Sequence, residues 1–212
     1  MPQLIAMIIV VVGAMIYMFQ TFGGTGDKIE GIAQKTSVIT EINNIKNGLK
    51  LAARSGDIKV GTTLEELATL KYFPEQINDQ IDKNTEKSEY YAISFGGQAP
   101  ATKGGMIIKL VAVTEGKIPG ILVSFKDTTL ADSGAFLESQ IANDLKAVAR
   151  LDRTAKIDTP KGTGNYAKLT GEEESTIHAR LPEITQTETE ADGEFVVYFN
   201  DFGANEVVVK AD

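Results

Sequence analysis

The sequence has no cysteine, no tryptophan and a single histidine, His178. Without cysteine there is no disulfide, no thiol nucleophile and no thiolate metal ligand, and one histidine cannot build a multi-histidine metal site. Positive charge is also scarce, with 21 Lys and Arg against 29 Asp and Glu and a formal net charge of −8. Affinity for phosphate backbones comes from clustered cations, so no nucleic-acid partner is expected.

Charge is missing altogether from the start of the chain, where no charged side chain precedes Asp27. Within this stretch, every residue from Leu4 to Phe19 is apolar or glycine. Such a run must be buried in lipid or in other protein. Three interpretations are open: a signal peptide, a membrane anchor of roughly 20 residues, and a helix that starts in the membrane and ends among copies of itself. The first is disfavoured, because no basic residue precedes the run and no small-residue cleavage site follows it.

Three glycines then interrupt the pattern, at Gly23, Gly24 and Gly26. Each glycine costs a helix about 1 kcal/mol relative to alanine, so residues 20–26 are predicted to be a helix break or a flexible linker.

From Asp27 to Ser55 apolar residues return at spacings of three and four, which predicts an amphipathic helix with Gly56 as its C-cap. Its predicted inward stripe is Ile29, Ile32, Thr36, Ile39, Ile42, Ile45, Leu49 and Ala52, and its predicted outward face is Lys28, Lys35, Glu41, Asn44, Lys46, Asn47 and Lys50. Residues 1–55 are therefore predicted to be a long helical spine that is apolar in its first third and amphipathic after the break.

Residues 56–212 predict a globular α+β head with an antiparallel sheet of four or five strands and one or two further helices. A capping box at Thr62–Glu65 predicts a short helix that ends before Pro74. Its predicted inward residues are Leu64, Leu67 and Leu70. The polar stretch Asn78–Ser88 is predicted to be a loop.

Runs rich in β-branched and aromatic residues predict the strands. The predicted strands are Tyr90–Phe95, Met106–Val113, Ile118–Phe125, Glu194–Phe199 and Glu206–Lys210. The second and third are predicted to pair as a hairpin, with Pro119 near a strand start, and the last two to flank a turn at Asp201-Phe202-Gly203.

A second helix is predicted over Asp132–Arg150. Phe136, Leu137, Ile141, Leu145 and Val148 are predicted to point inward, and Glu138, Asp144 and Lys146 outward.

No stretch of the sequence carries a catalytic pattern. The acidic run Glu172–Glu174 and the acidic residues of 183–194 lack the alternating pattern of a calcium loop and are interpreted as solvated surface. Thr102-Lys103 lacks the order of a phosphate-binding loop, and Asp201-Phe202-Gly203 lacks the other kinase motifs. The predictions are a structural protein rather than an enzyme, with no cofactor and no metal.

The order of these segments resembles that of type IV pilins. The run Leu4-Ile5-Ala6-Met7-Ile8-Ile9-Val10-Val11-Val12-Gly13 is similar to the N-terminal helix of mature pilins, with Met1 as the mature end. The glycines after Gln20 fall where pilin helices melt locally in filaments. In the head, the order of spine, loop, short helix, strand, helix and late strand leans to the type IVb class.

The resemblance implies a filament subunit, held in the inner membrane before assembly and placed afterwards in an extracellular fimbrium. Its implied partners are copies of itself, that membrane and the pilus assembly machinery. The implied filament-core residues are Leu4, Ile5, Met7, Ile8, Ile9, Val10, Val11, Val12, Gly13, Ala14, Met15, Ile16 and Phe19, and the implied helix break is Gly23, Gly24 and Gly26.

Two features depart from the family. Ile5 stands where major pilins carry a glutamate, and no cysteine is present to close the C-terminal region with a disulfide. A minor pilin or pseudopilin, in which that glutamate can be missing, is one alternative. The other is a single-pass anchored domain whose head binds a partner.

Overall fold

A computed structural model describes residues 31–84, 88–92, 104–154, 180–182 and 191–211. The chain divides into two compact units, Met1–Ser37 and Val38–Asp212. In the first unit, residues 31–37 are described and are helical. The predicted apolar run and glycine break lie outside the described residues, and the predicted domain boundary between residues 55 and 56 stays a prediction.

In the second unit, residues 38–55 are helical and form α1. The end of α1 is as predicted. Gly56 has a φ of +77°, and its amide donates to Ala53 while the Asp57 amide donates to Ala52. These two hydrogen bonds are the Schellman motif, in which glycine takes the left-handed conformation at low cost.

The predicted inward stripe of this helix is confirmed in its later part, where Ile42, Ile45, Leu49 and Ala52 are fully buried. It is wrong at Ile32, which is 62% exposed, and at Thr36, which is also exposed. The hydrophobic core that covers the stripe begins at Val38, which explains the difference.

Two short helices follow. Helix α2 is Leu64–Thr69, and its capping box pairs Thr63 with Glu66, one residue later than predicted. Leu64 and Leu67 are buried as expected, but Leu70 is exposed because the helix has already ended.

Helix α3 is Glu75–Asp82, so the predicted loop from residue 78 is wrong over its first residues. Its start is set by Pro74, which occupies the N-cap position. Two buried isoleucines four residues apart, Ile77 and Ile81, form its inward face, a stripe too short to stand out in a polar stretch.

Among the described residues, five strands form an antiparallel sheet that makes up the rest of the core. Its strands are β1 (Tyr90–Ala92), β2 (Met106–Val111), β3 (Gly120–Ser124), β4 (Ala149–Asp152) and β5 (Glu194–Phe199). Their order is β1-β2-β3-β5-β4, so β5 pairs with both β3 and β4. Strands β3 and β5 are buried along their full length. The coarse α+β class is therefore as predicted.

The predicted hairpin is confirmed as β2 and β3, with Val111 opposite Gly120. Pro119 lies just before β3, where its missing amide costs no ladder hydrogen bond. Of the predicted strand Tyr90–Phe95, the described part is β1.

Helix α4 is Gly134–Leu145, preceded by the 3₁₀ turn Ala131–Ser133. Leu137, Ile141 and Leu145 are buried as predicted, whereas Phe136 and Val148 are exposed. The predicted helix ran on to residue 150, but the chain turns after Leu145 and enters β4. Glu138 was predicted to point outward and is fully buried instead.

The predicted last strand, from Glu206 to residue 210, is wrong. Instead of pairing with β5 across a hairpin turn, this stretch makes a single parallel bridge between Val209 and Lys59. In addition, the Gly116 amide donates to the Val208 carbonyl, and the Val208 amide donates to the Lys117 carbonyl. Its β-branched composition reflects burial of Val208 rather than membership of the sheet.

Candidate functional site

All residues predicted for the filament core and the helix break, Leu4–Phe19 and residues 23–26, lie outside the described residues. None of the described helices is both long enough and apolar enough to cross a membrane. The junction between α1 and the head is the described region closest in the chain to the predicted core helix. It is therefore the part of the structure in which we look for a candidate site.

One face of this junction is a row of cations on α1, Lys46, Lys50 and Arg54, which we call the cationic row. They are spaced four residues apart and therefore lie on one face of the helix. Residues 200–207, which we call the closing loop, follow β5 and contact this row. The sequence predicted Lys46 and Lys50 on the outward face of the helix.

Two acidic residues of the closing loop pair with the row. The Asp201 carboxylate lies 3.3 Å from Lys46 Nζ and 3.2 Å from Lys50 Nζ. The Glu206 carboxylate bonds to Arg54 Nε and lies 3.9 Å from Lys50 Nζ. Lys50 thus contacts both carboxylates.

Aromatic rings and backbone carbonyls add further contacts. Lys46 Nζ lies 4.8 Å from the ring centre of Phe199, and Lys50 Nζ lies 5.7 Å from that of Phe202, distances at which a cation is attracted by a π face. Lys50 also donates to the Asp201 carbonyl at 2.7 Å. The guanidinium of Arg180 donates to the carbonyls of residues 202 and 203.

The surroundings keep both carboxyls of the closing loop ionised. Burial acts to raise the pKa of Asp201, but hydrogen bonds from Lys50 and Lys46 outweigh it and hold that pKa below its ordinary value. Burial likewise acts to raise the pKa of Glu206. The Gly203 amide, which donates to Glu206 at 2.6 Å, and the Arg54 side chain reverse that effect and lower it.

A buried tyrosine fixes α1 from another side. The Tyr90 hydroxyl lies 2.6 Å from a Glu41 carboxylate oxygen and 2.9 Å from Gln80 Oε1. It therefore joins α1 to α3 and β1. Burial raises the pKa of Tyr90 well above its ordinary value, and the negative charge of Glu41 adds to that effect.

Close packing holds α1 at a third point. A Cβ at Gly48 would overlap the ring of Phe73 and approach the Tyr72 carbonyl oxygen to 2.8 Å. Beside this contact, the Tyr72 hydroxyl donates to the Asp57 carboxylate just past the end of α1.

Comparison with protein-family models, characterised proteins and solved structures found no match.

The described residues offer little that could carry chemistry. Among them, no group of three or more histidine, aspartate and glutamate side chains is arranged to hold a metal ion. His178, Glu172–Glu174 and Thr102-Lys103 lie outside them. Asp201-Phe202-Gly203, which resembled a kinase tripeptide, belongs to the closing loop and contacts cations of α1.

The contact between the closing loop and the cationic row is not among the sequence predictions. The sequence carries one signal for it, because three cations at intervals of four residues repel one another unless acidic groups are supplied from elsewhere. Sequence alone does not say which acidic residues those are, because Asp201 is 151 residues away from Lys50 along the chain.

Proposed function

We propose that this protein is the structural subunit of a type IV pilus-like extracellular filament. One observation carries the proposal: the uncharged run Leu4–Phe19 precedes, in the same chain, an amphipathic helix whose apolar face is buried in an α+β head. A filament subunit of this kind needs an apolar segment for the shared core and a folded head for the outside.

The apolar run suits burial among copies of itself. Its length as a helix is about 24 Å at about 1.5 Å per residue, somewhat short of a bilayer core of about 30 Å. Packing against identical helices removes the same surface from water without requiring that length. Each buried CH₂ stabilises by about 0.8 kcal/mol, and a contact that does not close on itself generates a helical fibre.

Small residues within the run support close packing of helices. Gly13 and Ala14 allow backbones to approach in lipid or in a helix bundle. Gly23, Gly24 and Gly26 would let the helix change course after the core. In this proposal the inner membrane holds the subunit until the assembly machinery transfers it to the filament.

The three attachments of α1 to the head suit the same role. Lys50 with Asp201, Tyr90 with Glu41, and Gly48 against the ring of residue 73 fix the helix from different sides. A head fastened to its helix in this way could transmit the position of the core helix to the filament surface.

The test is electron microscopy of sheared surface fractions from cells that express the chain. Filaments containing the protein are expected, and they should be lost with Val11→Asp, because a carboxylate in the core would be buried without a partner. Val11→Leu is the matched control and should keep them. Finding the wild-type protein only as a membrane-bound monomer would contradict the proposal and favour a single-pass anchored domain. Finding it as a trace component of filaments built by another subunit would instead favour a minor pilin or pseudopilin.

A further inference from the structure

The cationic row would be unfavourable without the closing loop. Lys46, Lys50 and Arg54 are neighbours on one helix face, and like charges four residues apart destabilise a helix. All three lie near the carboxylates of Asp201 and Glu206. The negative charges of these two residues therefore offset the repulsion between the three cations of α1.

The residues on either side of the closing loop are held differently. Before it, β5 pairs with β3 and β4 on both edges. After it, the Val208 amide donates to the Lys117 carbonyl and the Val209 amide donates to the Ile58 carbonyl, each at 2.8 Å. Backbone bonds of this kind do not depend on an ionised carboxyl.

We propose that the closing loop is an acid-released latch. At neutral pH, Asp201 and Glu206 hold residues 200–207 against the cationic row. When both carboxyls are protonated, the loop detaches from α1, while β5 and the bonds of residues 208 and 209 remain. The buried ring of Phe202 then becomes exposed to solvent.

Charged groups face the latch from several elements. From α1 it is faced by the cationic row, and from residues 180–182 by Arg180, whose guanidinium donates to the carbonyls of residues 202 and 203. Two further lysines, Lys59 and Lys117, lie nearby because their backbones pair with residues 209 and 208. The bonds of Arg180 end on neutral carbonyls and persist in acid, whereas protonation of the two carboxyls removes their attraction to the cationic row.

The direction of the pH dependence follows from proton linkage. Both carboxyls have a pKa below the ordinary value in the folded protein, so the native state binds fewer protons than the unfolded state. Their stabilising contribution is present above the ordinary carboxyl range of about 3.9–4.3 and is lost as the pH falls through their lowered pKa values.

Hydrogen exchange on the full chain in detergent micelles tests the latch. The informative amides are Gly203, which donates to Glu206, and Glu206, which donates to the Gly203 carbonyl at 3.1 Å. Protection factors, which remove the intrinsic effect of pH on exchange, should fall at least about tenfold at these amides from neutral pH to about pH 2, well below the ordinary carboxyl range. The amides of β5 and Val209 should keep theirs. Simultaneous loss of protection at all these amides would overturn the proposal.

The double variant Asp201→Asn with Glu206→Gln separates the latch from general acid unfolding. At neutral pH it should already lack protection at the Gly203 amide and show no further loss in acid. Lys109→Gln is the matched control, because it removes an ion pair of 2.9 Å with Glu89 that lies outside the latch. Wild-type protection at Gly203 in the double variant would overturn the proposal.

Discussion

The buried carboxylate of Glu138 accepts hydrogen bonds from the amides of Asp192 and Gly193, at 2.9 and 2.8 Å. The same group lies 2.5 Å from Arg153 Nε. One side chain of α4 thereby fixes the entry to β5 and the exit from β4. Since β4 and β5 are neighbours in the sheet, Glu138 fastens the point where the chain leaves β4 to the point where it returns to enter β5.

Replacing this carboxylate should be costly. Glu138→Gln removes the charge that Arg153 and the two amides stabilise, and hydrogen bonds to charged groups contribute about 1.5–3 kcal/mol. We expect a free energy of unfolding lower by roughly 2 kcal/mol, measured by urea denaturation of the full chain in micelles with far-ultraviolet circular dichroism. Asp144→Asn, at an exposed position of the same helix, should change it by less than about 0.5 kcal/mol. Equal effects of the two substitutions would show that burial of Glu138 contributes nothing.

Gly48→Ala tests the contact between α1 and Phe73. Helix propensity alone predicts a gain of about 1 kcal/mol from this change. Overlap of the new methyl group with the Phe73 ring and the Tyr72 carbonyl opposes it, and overpacking costs about 1–3 kcal/mol. Because a backbone oxygen cannot move aside easily, we expect net destabilisation, seen as a lower thermal midpoint. Asn47→Ala, at the exposed neighbouring position, should be neutral or stabilising, and a stabilised Gly48→Ala variant would refute the close approach.

Alkaline pH should destabilise the head through two buried tyrosines. Burial raises the pKa of both Tyr90 and Tyr198, helped by Glu41 and Asp152 respectively. Their folded-state pKa values lie above the unfolded value of about 10, so above that pH the native state binds more protons and the free energy of unfolding falls as pH rises. The contribution is complete below about pH 10.

The double variant Tyr90→Phe with Tyr198→Phe isolates this effect. Its free energy of unfolding should fall less steeply than that of the wild type above about pH 10, after correction for any difference at pH 7. Denaturation curves at several alkaline pH values measure the two slopes. Identical slopes would mean that neither tyrosine is shielded from solvent in the folded protein.

Elements with a long and regular pattern were predictable from sequence. The inward residues Ile42, Ile45 and Leu49 follow from helical spacing, and the β2–β3 hairpin follows from two β-branched runs around a short polar turn. Gly56 was predictable because few residues other than glycine adopt a positive φ at the end of a helix.

Elements decided by tertiary contacts were not predictable from the sequence. The sequence pattern predicts Glu138 on the outward face because charged residues are seldom fully buried, and only the folded chain brings Arg153 and the amide of Gly193 to it. The apolar residues of β4 continue the helical spacing of α4. The strand nevertheless pairs with β5, on the edge opposite to the one that β3 occupies. For the candidate site, the cationic row was visible in the sequence, whereas its acidic partners depended on the path of the closing loop.

The place of β5 in the sheet affects the order in which the protein can be made. Strand β5 lies between β3 and β4, although both precede it in the chain. During synthesis, the β2–β3 hairpin can form early, but one edge of β3 and the whole of β4 lack a neighbour until residues 194–199 have emerged. Contacts between distant parts of a chain form slowly, so the growing chain passes through a stage with open strand edges. Chaperones that shield such edges would therefore matter most for this protein between the synthesis of β4 and the emergence of β5 from the ribosome.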